Sequence, residues 1–214
     1  MQQITFYLDF ISPYAYLAFE ELPQALMGLS YSVRYKPVVL GALLRYHGSL
    51  GPAEIPAKRD WTYRHVMWLA HSKGLVLNMP AIHPFSSLGL LRLAVGTDPQ
   101  GLPNRHVCET LFRHVWQGGA DALDATRMQA LTAQLAPQRA ASDDAVKAQL
   151  KAHTDDAVAL RIFGVPAFEV DGKVFWGLDA LPMLRAYLEA DSWFCDTNWN
   201  APLTLPSGLP PVKG

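Results

Sequence analysis

A chain of 214 residues that is 50% hydrophobic and only 17% charged can bury a sizeable core in one domain, or in one domain with an insertion, and it fits neither a disordered nor a fibrous protein. Its formal net charge of −1, with acidic and basic residues interspersed, leaves no basic stripe of the kind nucleic acid requires, so small-molecule chemistry is the better fit. No apolar run approaches bilayer length and the first residues enter a strand without a leader pattern, so the expected location is the cytoplasm, with no membrane partner.

Residues 3–8, Gln-Ile-Thr-Phe-Tyr-Leu, have the β-branched and aromatic content of a strand. Tyr16, Leu17, Ala18, Phe19 and Leu22 follow at helical spacing, and Pro13 suits the first turn of that helix. Ser12 then falls at or next to the N-cap, where free N–H groups and the helix dipole favour an anion, including a thiolate. An ordinary capping serine explains the same pattern.

Alternation over 29–38 predicts a second strand, and a long, predominantly helical stretch runs from about Leu40 to His153. Gly, Pro and Asn punctuation divides it into helices over 61–73, 86–95, 103–116, 124–135 and 143–151, with a further helix over 155–163. Gly164-Val165-Pro166 then opens a hairpin around Asp171-Gly172, with Pro166 a cis-proline candidate because its nitrogen cannot join a ladder. Asp179 reads as the N-cap of a last helix over 180–189 with Pro182 in its first turn. Residues 200–214, with four prolines and two glycines, read as an irregular tail.

Cys108 and Cys195 are the only cysteines, far apart and without a C-x-x-C motif, so neither a disulfide framework nor dithiol chemistry is expected. The seven histidines form no H-E-x-x-H or Cys/His cluster, and no metal site is expected. Trp61, Trp68 and Trp116 are expected in the core, and His47, His65, His71, His106, His114 and His153 take no functional assignment.

Four anchors in order, Asp9-Phe10-x-Ser12-Pro13-Tyr14, the 51–59 segment Gly-Pro-Ala-Glu-Ile-Pro-Ala-Lys-Arg, Gly164-Val165-Pro166 and Trp176-Gly177-Leu178-Asp179, resemble the glutathione-dependent branch of the DsbA-like thioredoxin superfamily. The resemblance is greatest to 2-hydroxychromene-2-carboxylate isomerases, with kappa-class glutathione transferases as near relatives, and runs from Ile4 to about Leu188. It implies an α/β thioredoxin-like, DsbA-type fold: core at 1–40 and 154–190, helical insertion at 41–153, tail at 191–214. Where redox relatives carry C-P-x-C, this chain has Ser12-Pro13-Tyr14-Ala15, so an acting thiol must come from outside, and glutathione is the implied cofactor.

In that family's terms Ser12 donates to the glutathione thiolate, and Val165, before Pro166, directs its N–H and C=O outward to pair with the tripeptide backbone. Trp176, Gly177, Leu178 and Asp179 hold the γ-glutamyl end, although Ala180 stands where relatives often carry Arg. Lys58 matches a lysine that reaches the same site, with Arg59 the alternative charge. Tyr14, Ser49, His83 and Phe85 are the candidates for the aromatic-substrate side, with Ser49 replacing a common Asn and His83 able to bind a carboxylate or move a proton. The implied reaction converts 2-hydroxychromene-2-carboxylate to trans-o-hydroxybenzylidenepyruvate in aromatic-hydrocarbon breakdown, by thiolate addition, ring opening, rotation and departure of the thiolate, and the implied assembly is a homodimer. A kappa-like transferase and a non-catalytic thioredoxin-like binding protein are the rivals.

Overall fold

The computed structural model describes residues 1–206 and 208. Strand β1 (Gln2–Leu8) turns Ile4, Phe6 and Leu8 to one face and Tyr7 to the other, and both faces are covered by apolar clusters. Burial on two sides is why this strand reads as a near-continuous apolar run. β2 (Tyr31–Pro37) lies parallel to it, from Gln2 opposite Tyr31 to Leu8 opposite Pro37. β3 (Ala167–Val170) lies antiparallel along its other edge with Phe6 opposite Phe168, and β4 (Lys173–Trp176) completes a four-stranded sheet in the order β2-β1-β3-β4. Asp171 and Gly172 turn the β3–β4 hairpin with φ of 50° and 79°, the paired positive values that a two-residue primed turn requires.

Helix α1 (Pro13–Ala25) follows β1, and α2 (Leu40–Tyr46), α3 (Pro56–Ser72), α4 (Leu88–Gly96), α5 (Arg105–Trp116), α6 (Ala125–Leu135) and α7 (Asp144–Ala159) separate β2 from β3. α8 (Leu181–Leu188) returns against α1, giving the thioredoxin-like arrangement with a helical stretch between the second and third strands. Phe112 of α5 meets Phe10, Phe19 and Tyr16 at ring separations of 4.9, 5.2 and 6.0 Å, so the inserted helices and the sheet share one core. Among the described residues no helix is long and apolar enough to cross a membrane.

Several helix boundaries differ from expectation. α3 starts at Pro56 rather than at residue 61, with that proline at the first helical position. The helices expected over 143–151 and 155–163 are one, α7, running unbroken through residues 153 and 154. No Gly or Pro interrupts this stretch, Lys151 pairs with Asp155 across one turn at 2.5 Å, and His153 and Thr154 are buried. α7 ends before 163: Arg161, at φ 59°, donates its N–H to Val158 O, and Ile162 donates to Ala157 O. Those are the two bonds of a Schellman motif, with Ile162 tucked into the core beyond it.

Asp179 is not the cap of the last helix. It sits inside a single 3₁₀ turn, Leu178–Ala180, and α8 begins after Ala180 without a side-chain cap. α9 (Asp196–Asn200) precedes the expected irregular segment, with its Trp199 packed on Phe175 at 5.5 Å, and a 3₁₀ turn, Ala201–Thr204, lies within that segment. Residues 207 and 209–214 of the expected tail lie outside the described residues. Side-chain caps open α5 and α6: Asn104 accepts from Val107 N at 3.0 Å and Asp124 from Arg127 N at 2.9 Å. Asn104→Ala is expected to cost about 1 kcal/mol in urea unfolding.

Candidate active site

The β1–α1 loop, 9–12, is held at every residue. Asp9 is 1% exposed, and its carboxylate accepts from Leu40 N at 2.9 Å and from Ile11 N at 3.2 Å. Burial pushes its pKa up to about 6, with hydrogen bonds from Leu40 N–H and the Ser87 hydroxyl opposing the rise. The buried Trp116 indole donates to Phe10 O at 2.9 Å, and His83 Nε2 donates to Ile11 O at 2.9 Å. Ser12 N–H returns to Asp9 O. Residues from three separate segments between β2 and β3, at 40, 83–87 and 116, thus fix the loop that presents Ser12.

Ser12 is the N-cap of α1, with extended φ/ψ and its Oγ accepting from Ala15 N at 3.2 Å. The same hydroxyl donates to Val165 O at 3.3 Å, and Ser12 is 6% exposed. The Val165–Pro166 peptide is cis, as expected. The Val165 carbonyl, however, faces Ser12 instead of pointing outward, because the capping hydroxyl needs an acceptor for its proton in a buried place. The Val165 N–H makes no hydrogen bond among the described residues although Val165 is only 8% exposed, so a polar donor is left for a ligand.

Ser12, Val165 and Pro166 line a cleft of about 1880 Å³, beyond the roughly 300–1,000 Å³ usual for one small ligand and wide enough for two. Trp176, Gly177, Leu178 and Asp179 border it as expected. The Trp176 ring packs on Phe163 at 4.7 Å and stands over Gly164, where a Cβ would come within 2.9 Å of Nε1. Gly177 has φ 102°, and the Asp179 carboxylate folds back over it into space that only glycine leaves. That carboxylate is exposed and caps no helix, so it is free for a cationic group.

Lys58, in the first turn of α3, lines the cleft, whereas Arg59 lies off it with Nε 3.6 Å from Asp60. Ser49 and Phe85 also border it. His83 does too, but both its ring nitrogens are engaged: Tyr63 OH lies 2.7 Å from Nδ1 while Nε2 holds Ile11 O. Burial lowers its pKa, keeping it neutral, so His83 braces the loop and is not placed to carry a proton. Tyr14 reaches His65 Nδ1 at 2.9 Å, bringing in a histidine to which the sequence assigned no role. Trp61 and Trp68 are exposed on α3, contrary to expectation, because that helix turns only Val66 and Ala70 fully inward.

Neither cysteine joins the site. Cys108 is buried in α5 with its thiol pKa pushed far up by burial, and Cys195 is exposed in the tail. Among the described residues no group of three or more His, Cys, Asp or Glu is placed to hold a metal.

Residues 3–189 match the family model described as a DSBA-like thioredoxin domain. The 2-hydroxychromene-2-carboxylate isomerase of Pseudomonas putida is 27% identical over 191 residues, covering 86% of this chain and 92% of that protein. Rat glutathione S-transferase kappa 1 is 23% identical over 207 residues, covering 87% and 90%. A solved structure of 2-hydroxychromene-2-carboxylate isomerase superposes with a TM-score of 0.72 at 22% identity over 95% of this chain and all of that one, which shows the shared fold. With its sheet order, its cis-proline facing the α1 N-cap and a family match over nearly its whole length, the chain belongs to the DSBA-like thioredoxin family.

Proposed function

We propose that the protein is a glutathione-dependent isomerase acting on 2-hydroxychromene-2-carboxylate or a closely related aromatic hydroxy acid. The observation that carries this reading is Ser12: a hydroxyl at a helix N-terminus, facing the Val165–Pro166 peptide, in a chain whose two cysteines lie elsewhere. The names of the relatives, an isomerase of that substrate and a glutathione transferase, support the choice of cofactor and reaction.

The residues present suit the tripeptide. The unpartnered Val165 N–H offers a backbone donor, Asp179 an anion for the γ-glutamyl ammonium and Lys58 a cation for a carboxylate. When bound, glutathione supplies the thiolate that the chain lacks. Ser12 would turn its O–H from Val165 O toward the sulfur, and the first turn of α1 would add its dipole, so that the anionic form is favoured. The clamped 9–12 loop keeps the donor fixed while charge changes beside it.

Asp179→Asn is expected to weaken glutathione binding by about tenfold or more, the loss of one charge-assisted bond, while leaving the unfolding midpoint unchanged because Asp179 caps no helix. Calorimetric titration and thermal unfolding of the same sample test this, and wild-type affinity would remove Asp179 from the site. The reaction itself is tested by following chromene isomerisation with and without glutathione while assaying free thiol. Rate dependence without thiol loss supports an isomerase, and stoichiometric loss of free glutathione would make it a transferase.

A further inference from the structure

Tyr14 and His65 form a hydrogen-bonded pair on the cleft wall that thiol activation leaves unused. The Tyr14 hydroxyl lies 2.9 Å from His65 Nδ1, and both residues are half-buried and line the cleft. Trp61, one turn earlier on α3, lies nearly parallel to the imidazole at 6.0 Å and 14°, fixing its plane. His65 Nε2 makes no hydrogen bond among the described residues. Tyr14 is two residues beyond Ser12, so the pair borders the same cleft as the thiol-activating hydroxyl.

The surrounding groups favour an acid over a base at Tyr14. Burial first, then the Asp179 carboxylate, raise the phenol above its ordinary pKa, with only a hydrogen bond to the Thr62 side chain opposing them. The other cleft charges near α3 are Lys58, two turns before His65, Glu54, whose carboxylate is occupied by Gly51 N at 2.7 Å, and Lys73 at the helix's C-terminal end, paired with Glu21 at 2.7 Å, while Arg45 of α2 and Arg185 of α8 line the cleft from other elements. Tyr14 therefore keeps its proton at neutral pH. The charge of His65 decides where that proton points. A neutral imidazole with Nδ1 bare takes the Tyr14 O–H for itself. An imidazolium donates Nδ1–H to the tyrosine oxygen and releases the O–H to the cleft.

We propose that Tyr14, recharged by His65, is the acid that protonates an oxygen of the aromatic substrate as its bond to carbon breaks; this rests on the isomerase reading above. In opening the cyclic hemiketal, the bond between the hemiketal carbon and the aryl oxygen breaks with its electron pair passing to that oxygen. The Tyr14 proton goes to the oxygen, and the His65 Nδ1 proton replaces it on Tyr14. The hemiketal hydroxyl gives its proton to solvent as the carbonyl forms, and His65 takes one back, so no proton is consumed overall. Tyr14 is the catalytic residue and His65 positions and recharges it.

The test combines kinetics with a measurement that needs neither glutathione nor turnover. Tyr14→Phe should lower kcat on the order of 10²-fold or more, the usual worth of a positioned acid, with glutathione affinity unchanged. His65→Gln should lower kcat and flatten its pH profile, because the glutamine amide has no proton to hand to Tyr14. In glutathione-free protein, salicylate, an aromatic hydroxy acid, should shift the His65 ring resonances in NMR, and Tyr14→Phe should remove that shift. Wild-type kcat in Tyr14→Phe, or His65 ring resonances indifferent to salicylate, would overturn the proposal. If the wild type neither binds glutathione nor turns over the chromene yet shows the salicylate shift and its loss in Tyr14→Phe, the isomerase reading alone falls and the pair stands as an acid for another aromatic acid.

Discussion

Ser12→Ala is expected to lower kcat on the order of 10²-fold or more, while the protein still folds and still binds glutathione. The hydroxyl has two bonds in this structure, accepting from Ala15 N and donating to Val165 O. Losing the first costs a helix cap, about 1 kcal/mol of stability, which urea unfolding will register separately from the rate. Losing the second leaves the Val165 carbonyl without its donor and, in the proposed complex, leaves the sulfur without one. The binding contacts, by contrast, are spread over Val165 N–H, Lys58 and Asp179, none of which the substitution touches. Steady-state kinetics on the folded variant should therefore show a fall in kcat with the KM for glutathione little changed. A variant with wild-type kcat would reduce Ser12 to a capping residue.

The second large effect is on stability and comes from Asp9. Its folded-state pKa, raised from 3.8 to about 6, means that the native protein holds this proton up to about pH 6 while the unfolded chain releases it near 3.8. Across that window the native state binds more protons than the unfolded state, so the stability associated with Asp9 is full below about pH 4 and is lost as pH rises through about 6. The total is about 3 kcal/mol. Asp9→Asn cannot titrate, and the wild-type minus mutant difference in urea unfolding free energy should fall by roughly that amount between pH 4 and 7. A flat difference would mean that Asp9 is ionised as readily in the folded protein as in the unfolded one. Above pH 6 the charged carboxylate persists because Leu40 N–H, Ile11 N–H and the Ser87 hydroxyl serve it, which holds α2 and the Ser12 loop together at a stability cost.

The parts of this fold that local chemistry dictates were legible in the sequence. Ser12 before Pro13 makes a helix start, Asp171-Gly172 makes a two-residue hairpin turn, and Pro166 at the mouth of β3 is cis. The misreadings came where tertiary contacts override local pattern. Asp179-Ala180-Leu181-Pro182 has the look of a cap and a first turn, but the positive φ of Gly177 lets the carboxylate fold back and a 3₁₀ turn intervenes. The break drawn between 151 and 155 had no Gly or Pro to support it, and the helix runs on.

The clamp on the 9–12 loop was out of reach for a different reason. His83 meets Ile11 across 72 residues, Trp116 meets Phe10 across 106, and Tyr14 meets His65 across 51, and no spacing in the chain encodes these encounters. A histidine at 83 looks like a proton carrier until both its nitrogens are seen to be taken. His65 looked idle because its partner lies on another helix. The single hint was compositional: an aromatic and histidine-rich α3, Trp61, Tyr63 and His65, with few inward apolar positions, is a helix with a face to offer a cleft.

The central claim is that this chain activates a thiol it does not own. The most direct measurement is a pH titration of thiolate absorbance for glutathione bound to the wild-type protein, compared with free glutathione. The N-terminus of α1 and the Ser12 hydroxyl are expected to bring the bound thiol at least about one unit below its ordinary value near 8.5. A bound thiol that titrates like the free one would contradict the account.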